Sequence, residues 1–151
     1  MLKRIREMKD QDGFTLIELM VVVLIIAILI AIAIPTFLGL RSRAQNRSAQ
    51  SDLRNALTAA KAFYTDAETF TGFDETAAEL VEPSIDFEAA GSTAAVGIAV
   101  AADDEVVLTK ESESGEWYCA MDNGGASSVR GPADAEADLN TVALCGPLAQ
   151  V

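Results

Sequence analysis

Between Glu18 and Arg41 the chain holds 22 consecutive residues, 19–40, none of which can carry a charge. At about 1.5 Å per residue, a helix of that run is roughly 33 Å long, enough to cross a hydrocarbon core of about 30 Å. Glu18 stands at its threshold. A carboxylate in a membrane helix costs on the order of 2.5–3.5 kcal/mol at the bilayer centre and less near the interface. A residue that costly is a functional candidate, and it requires a partner.

The residues around it suggest one. Gly13-Phe14-Thr15-Leu16-Ile17-Glu18-Leu19, followed by the apolar run and Pro35, resembles the N-terminal signature of type IV pilins and their relatives, the class III signal sequence. The resemblance covers roughly residues 1–65. It implies that a dedicated prepilin peptidase removes a leader, residues 1–13, by cutting after Gly13. Phe14 then becomes an N-methylated terminus, and Glu18 pairs with the amine of a neighbouring subunit's Phe14. Pro35, with Gly39 one turn later, marks the point where the helix breaks or melts most cheaply, since proline removes a backbone donor. Family filaments often lose helicity just before this proline, helped by a glycine eight residues upstream. This chain has Ala27 there, a good helix former.

The leader also makes sense without the family. Lys3, Arg4, Arg6 and Lys9, with Glu7, Asp10 and Asp12, form a flank that stays out of a membrane. Arg41, Arg43, Arg47 and Arg54 balance its basic residues, so positive charge alone does not orient the span. Two other readings compete. An ordinary secretory signal would be cut at Ala31-Ile32-Ala33, but the apolar run exceeds the usual 7–15 residues and carries Glu18. A plain transmembrane anchor leaves Glu18 unexplained.

Beyond the span, residues 41–66 contain neither glycine nor proline. Leu53, Leu57, Ala60 and Tyr64 recur every three or four residues, one amphipathic stripe onto which a head can pack. Residues 67–151 form that head, large enough for one small core. A loop over 72–92 contains a short helix near 75–81. Strands are expected at 95–101, 106–110 and 116–121, with weaker candidates at 127–130 and 141–145. Asp103-Asp104, 112–115 and Asp122-Asn123-Gly124-Gly125 supply the turns. The expected fold is α+β: a long N-terminal helix, transmembrane then amphipathic, packed on a small antiparallel sheet.

From Asp66 onward 18 acidic residues face only Lys110 and Arg130, which argues against binding nucleic acid through its phosphates. Cys119 and Cys145 are the whole cysteine inventory. In an exported domain such a pair reads as one disulfide, two buried thiols being the alternative. A closed loop of about 25 residues would stabilise by roughly 3.5 kcal/mol on the chain-entropy model. The chain has no histidine, which removes the His-based catalytic arrangements and the usual zinc sites. No cofactor is expected. Asp134, Glu136 and Asp138 could line a calcium loop, against the simpler reading of a solvated acidic loop. Trp117 and Tyr118 read as core and sheet-surface residues.

The resemblance therefore implies a non-enzymatic structural subunit, most like a major pilin. It would sit in the inner or cytoplasmic membrane and then polymerise with itself into an extracellular filament. Its partners would be the prepilin peptidase and an assembly platform with an ATP-driven motor. A type II secretion pseudopilin, a minor pilin and a membrane-anchored binding module that never polymerises are the alternatives.

Overall fold

The computed structural model describes residues 13–124, 127–139 and 141–145. Of the leader, only Gly13 is included, and Gly125 of the third turn lies outside the described residues. The chain divides into two units at Leu40/Arg41. The first holds the apolar part of helix α1 (Leu16–Ala67). Its residues are largely isoleucine, valine and leucine, and β-branched side chains are only moderate helix formers in water. In hydrocarbon the helix is nevertheless favoured, because it satisfies every interior backbone group within one segment. Large apolar side chains over 14–40 are 47–83% exposed, so this stretch has no core of its own.

The second unit contains the rest of α1 and the head. Helix α2 (Glu75–Val81) begins at Asp74, whose side chain accepts from the Ala77 N–H at 2.9 Å. A five-stranded sheet follows: β1 (Phe87–Glu88), β2 (Val96–Ala102), β3 (Glu105–Glu111), β4 (Trp117–Asp122) and β5 (Ser127–Ala133), in that spatial order. Strands β2 to β5 form an antiparallel meander. The expected antiparallel sheet is present, with the short β1, which joins β2 in parallel, as an added edge strand. A two-residue strand is too short to leave a period-two pattern in the sequence.

Alternation along the strands gives the sheet two apolar faces. Val96, Val106, Leu108, Tyr118 and Ala120 lie against Ala49, Leu53, Ala56, Leu57 and Ala60 of α1, with Phe70, Phe73 and Phe87 closing the core. Burying Leu53 or Leu108 completely is worth roughly 1.5–3 kcal/mol each. Val107, Cys119 and Met121 point the other way, against Leu139 and Cys145. The Cys119–Cys145 disulfide pins the C-terminal segment there, as the exported-domain argument expects.

That segment overturns one expectation. Residues 141–145 read as a weak strand, yet Val142–Cys145 is a turn of helix, α3. Thr141 caps it, its carbonyl accepting from the Cys145 N–H at 2.8 Å and its hydroxyl from the Leu144 N–H at 3.2 Å. A short apolar run is ambiguous between helix and strand. Here the disulfide and the bonds from Ser128 and Arg130 to the Cys145 and Leu144 carbonyls decide it.

Polar ties fix α1 on the sheet. Asn46 donates to Glu116 at 2.6 Å and accepts from the Ser112 hydroxyl at 2.7 Å. Fifteen residues along the helix, Lys61 lies 3.0 Å from Asp122 and donates to Ser127 at 2.6 Å. The Ser127 hydroxyl in turn donates to Asp122 at 2.6 Å, and the Gly124 N–H donates at 2.9 Å. Burial works against the Asp122 carboxylate, but the bonds from Ser127 and Gly124 and the Lys61 ammonium outweigh it and hold its pKa below the usual aspartate value.

Two outcomes follow. Cys119→Ser should destabilise the head by about 2–4 kcal/mol, seen as a lower melting temperature by circular dichroism, with α1 helicity retained. Asp122 favours the folded state fully above the ordinary aspartate pKa, and its contribution is lost as pH falls through its lowered folded value. Wild-type stability should therefore fall across that acid range. Asp122→Asn should cost about 1 kcal/mol at neutral pH and flatten the acid limb of melting temperature against pH.

Candidate functional site

The start of α1 gathers the residues singled out by sequence. Thr15 occupies the helix N-cap and Glu18 the third helical position. The Thr15 N–H donates to Glu18 Oε2 at 3.0 Å, and the Thr15 hydroxyl donates to the same oxygen at 2.7 Å. Reciprocally, the Glu18 N–H donates to Thr15 Oγ1 at 3.3 Å. This is a capping box: side chain and backbone satisfy two helix-start donors that would otherwise face hydrocarbon. The positive end of the helix dipole further favours a carboxylate here.

Glu18 thus has a partner three residues away in its own chain, Thr15. The signal was available as Thr-x-x-Glu immediately before an apolar run. Among the described residues, Gly13 has nothing within 4 Å of where a Cβ would project, and Phe14 is 83% exposed. The Gly13–Phe14 junction is accordingly accessible, one helical turn from the carboxylate.

Helix α1 is helical through Pro35 and Gly39. Proline offers no N–H to the Ala31 carbonyl, so one rung of the helical ladder is missing. One residue on, the Thr36 hydroxyl donates to the Ile32 carbonyl at 3.2 Å. Gly39 has no atoms within 4 Å of a built Cβ.

The remaining candidates lie in the head. Glu136, weighed above as a calcium ligand, spends its Oε1 on the Thr109 hydroxyl at 2.6 Å and the Gly91 N–H at 2.9 Å. Among the described residues no three carboxylates or cysteines converge as a metal site would require. Tyr118 is buried beneath α1 with its hydroxyl donating to Glu116 at 2.9 Å. Burial and the Glu116 carboxylate push its pKa up. Trp117 packs on the opposite, disulfide-bearing face. Both are structural residues, as their sequence context suggests.

Comparison with known proteins agrees with this geometry. Residues 8–34 match the prokaryotic N-terminal methylation motif. The type IV major fimbrial protein FimA of Dichelobacter nodosus is 34% identical over 139 residues, covering 73% of this chain and 88% of that protein. The type IV major pilin protein PilA of Myxococcus xanthus is 46% identical over 61 residues, 40% of this chain, but the chain spans only 28% of that protein's length. The type II secretion system core protein G of Vibrio cholerae is 44% identical over 55 residues, 34% of this chain and 38% of that protein. At 73% of this chain, the FimA match is longer than α1 and includes part of the head. The chain belongs to the type IV pilin family.

Proposed function

We propose that this chain is the major structural subunit of a type IV pilus, held in the membrane by residues 14–40 and then polymerised through the same segment. The observation that carries the reading is the apolar half of α1, exposed along its whole length and joined to a head whose own core is complete. Such a surface must be covered either by lipid or by copies of itself. Because lipid tails are as apolar as leucine, the exchange gains little hydrophobic energy. Close helix packing and an assembly motor drive it, on a platform that draws the subunit out of the membrane.

Specificity comes from Glu18. In the single chain both Thr15 bonds fall on Oε2. Among the described residues the other carboxylate oxygen has no donor, and it can receive the amine of an incoming subunit's Phe14. That amine exists only after the prepilin peptidase has cut at Gly13. In the filament core an unpaired carboxylate would be heavily penalised, so subunits in the wrong stagger are disfavoured. Pro35 and Gly39 supply the compliant point at which the helix adjusts to its neighbours. The pseudopilin reading shares this N-terminal chemistry, but its match spans 34% of this chain, whereas the fimbrial match spans 73%.

Two experiments test this. Replacing Gly13 by a bulky residue should leave the precursor uncut, with residues 1–13 retained by mass spectrometry. The unaltered chain should begin at N-methylated Phe14, and a start near Ile34 would support an ordinary secretory signal instead. Glu18→Val should leave the precursor membrane-inserted and cleaved, because the span becomes more apolar, while sheared filament yield falls at least about tenfold. Normal filament yield from Glu18→Val would mean that Glu18 is not the device that sets register.

A further inference from the structure

The second unit has two edges of opposite charge, and we propose that they meet between copies of this chain as a lateral contact additional to the helix core. This rests on the polymer reading above. Arg43, Arg47, Arg54 and Lys61 fall within about 40° of one another at 100° per residue, forming one row along α1. Lys61 fixes where that row points, because it reaches Asp122 and Ser127 at the β4–β5 edge of the sheet. Arg43 is 18 residues earlier, five full turns, and so lies in line with it. Arg43, Arg47 and Arg54 are exposed, and among the described residues none of their guanidinium groups has an ion-pair or hydrogen-bond partner.

The other edge of the sheet is its complement. Strand β1 and the adjoining α2 close that side, and the whole stretch 66–93 carries eight acidic residues and no basic one. Thr76, Glu79, Leu80, Pro83, Ile85 and Asp86 line a groove there of about 430 Å³. Glu79 and Asp86 are exposed at it, and Leu80 is 80% exposed. The occupant is a second copy of this chain, by charge complementarity. The arginine row is a cationic strip on a head that is otherwise overwhelmingly acidic, and the acidic groove would repel nearly every other part of a neighbour's surface.

Joining one edge to the opposite edge of the next copy is a heterologous contact, the kind that propagates as an open helix rather than closing into a dimer. Exposed ion pairs contribute little singly, but they set register and suppress wrong juxtapositions, and their effect accumulates along a polymer.

The test uses the full chain in its producing cells, with sheared filaments and membrane precursor both quantified. Arg47→Glu with Arg54→Glu should reduce filament yield roughly tenfold with precursor unchanged, and Glu79→Arg with Asp86→Arg should do the same. Combining all four changes should restore yield to within about threefold of the unaltered chain. Wild-type yield from either pair alone, or no recovery in the combined variant, would overturn the proposal. Loss of precursor from the membrane fraction in Arg47→Glu/Arg54→Glu would mean that the row holds anionic lipid headgroups instead, and would also overturn it. Filaments from the unaltered chain that tolerate every charge change would leave the polymer reading standing while this contact fails. An unaltered chain that forms no filament would remove both.

Discussion

A single carboxylate, Glu18, at the start of α1 limits where the apolar half of that helix can reside. A 22-residue uncharged run could serve as a membrane anchor with no further specification. Placing Glu18 at its edge makes the segment tolerable only where donors meet that carboxylate. In the single subunit Thr15 provides them at 2.7 and 3.0 Å, so the charge is capped while the helix stands alone. The cap is local and small, and it occupies one carboxylate oxygen. On the reading proposed above, a subunit without its leader would bring a stronger donor, a cationic Phe14 amine, to that carboxylate. Charge-assisted bonds are about twice as strong as neutral ones, so assembly can improve on the internal arrangement.

The head is organised so that this end of the chain remains free to act. Its core closes without residues 14–40: α1 beyond Arg41 covers one face of the sheet, and the disulfide-tethered C-terminal segment covers the other. Polar clamps at Asn46 and Lys61 hold the helix at two points fifteen residues apart. The head's two apolar clusters draw on no residue of the apolar half of α1. The acidic surface adds mutual repulsion between heads, which makes the placement of the few exposed arginines consequential.

Much of this was legible in the sequence because several independent signals agreed. The stripe of Leu53, Leu57 and Ala60 has helical period, and all three are buried on the sheet. Strands β2, β3 and β4 were marked by apolar runs between turn residues, and α2 lies where a short helix near 75–81 was expected. The misses have physical reasons. Strand β1 is two residues long and parallel, so it lacks any period of its own. Residues 141–145 are helical because of the Cys119–Cys145 bond and contacts to β5, which a local pattern does not contain. Glu136 resembled a solvated acid or cation ligand, but its carboxylate joins Gly91 to Thr109 across a distance of 45 and 27 residues in sequence. At the site itself, Thr15 was overlooked although the capping-box spacing was present.

The central claim is that Glu18 exchanges an internal partner for one on another chain. High-resolution cryo-electron microscopy of filaments sheared from cells producing this chain measures that directly. The account predicts residues 14–40 packed at the filament axis, with a Glu18 carboxylate oxygen within hydrogen-bonding distance, about 3 Å, of the N-methylated Phe14 amine of a neighbouring subunit. Filaments in which Glu18 remains bonded to Thr15 alone, with every Phe14 amine elsewhere, would contradict it.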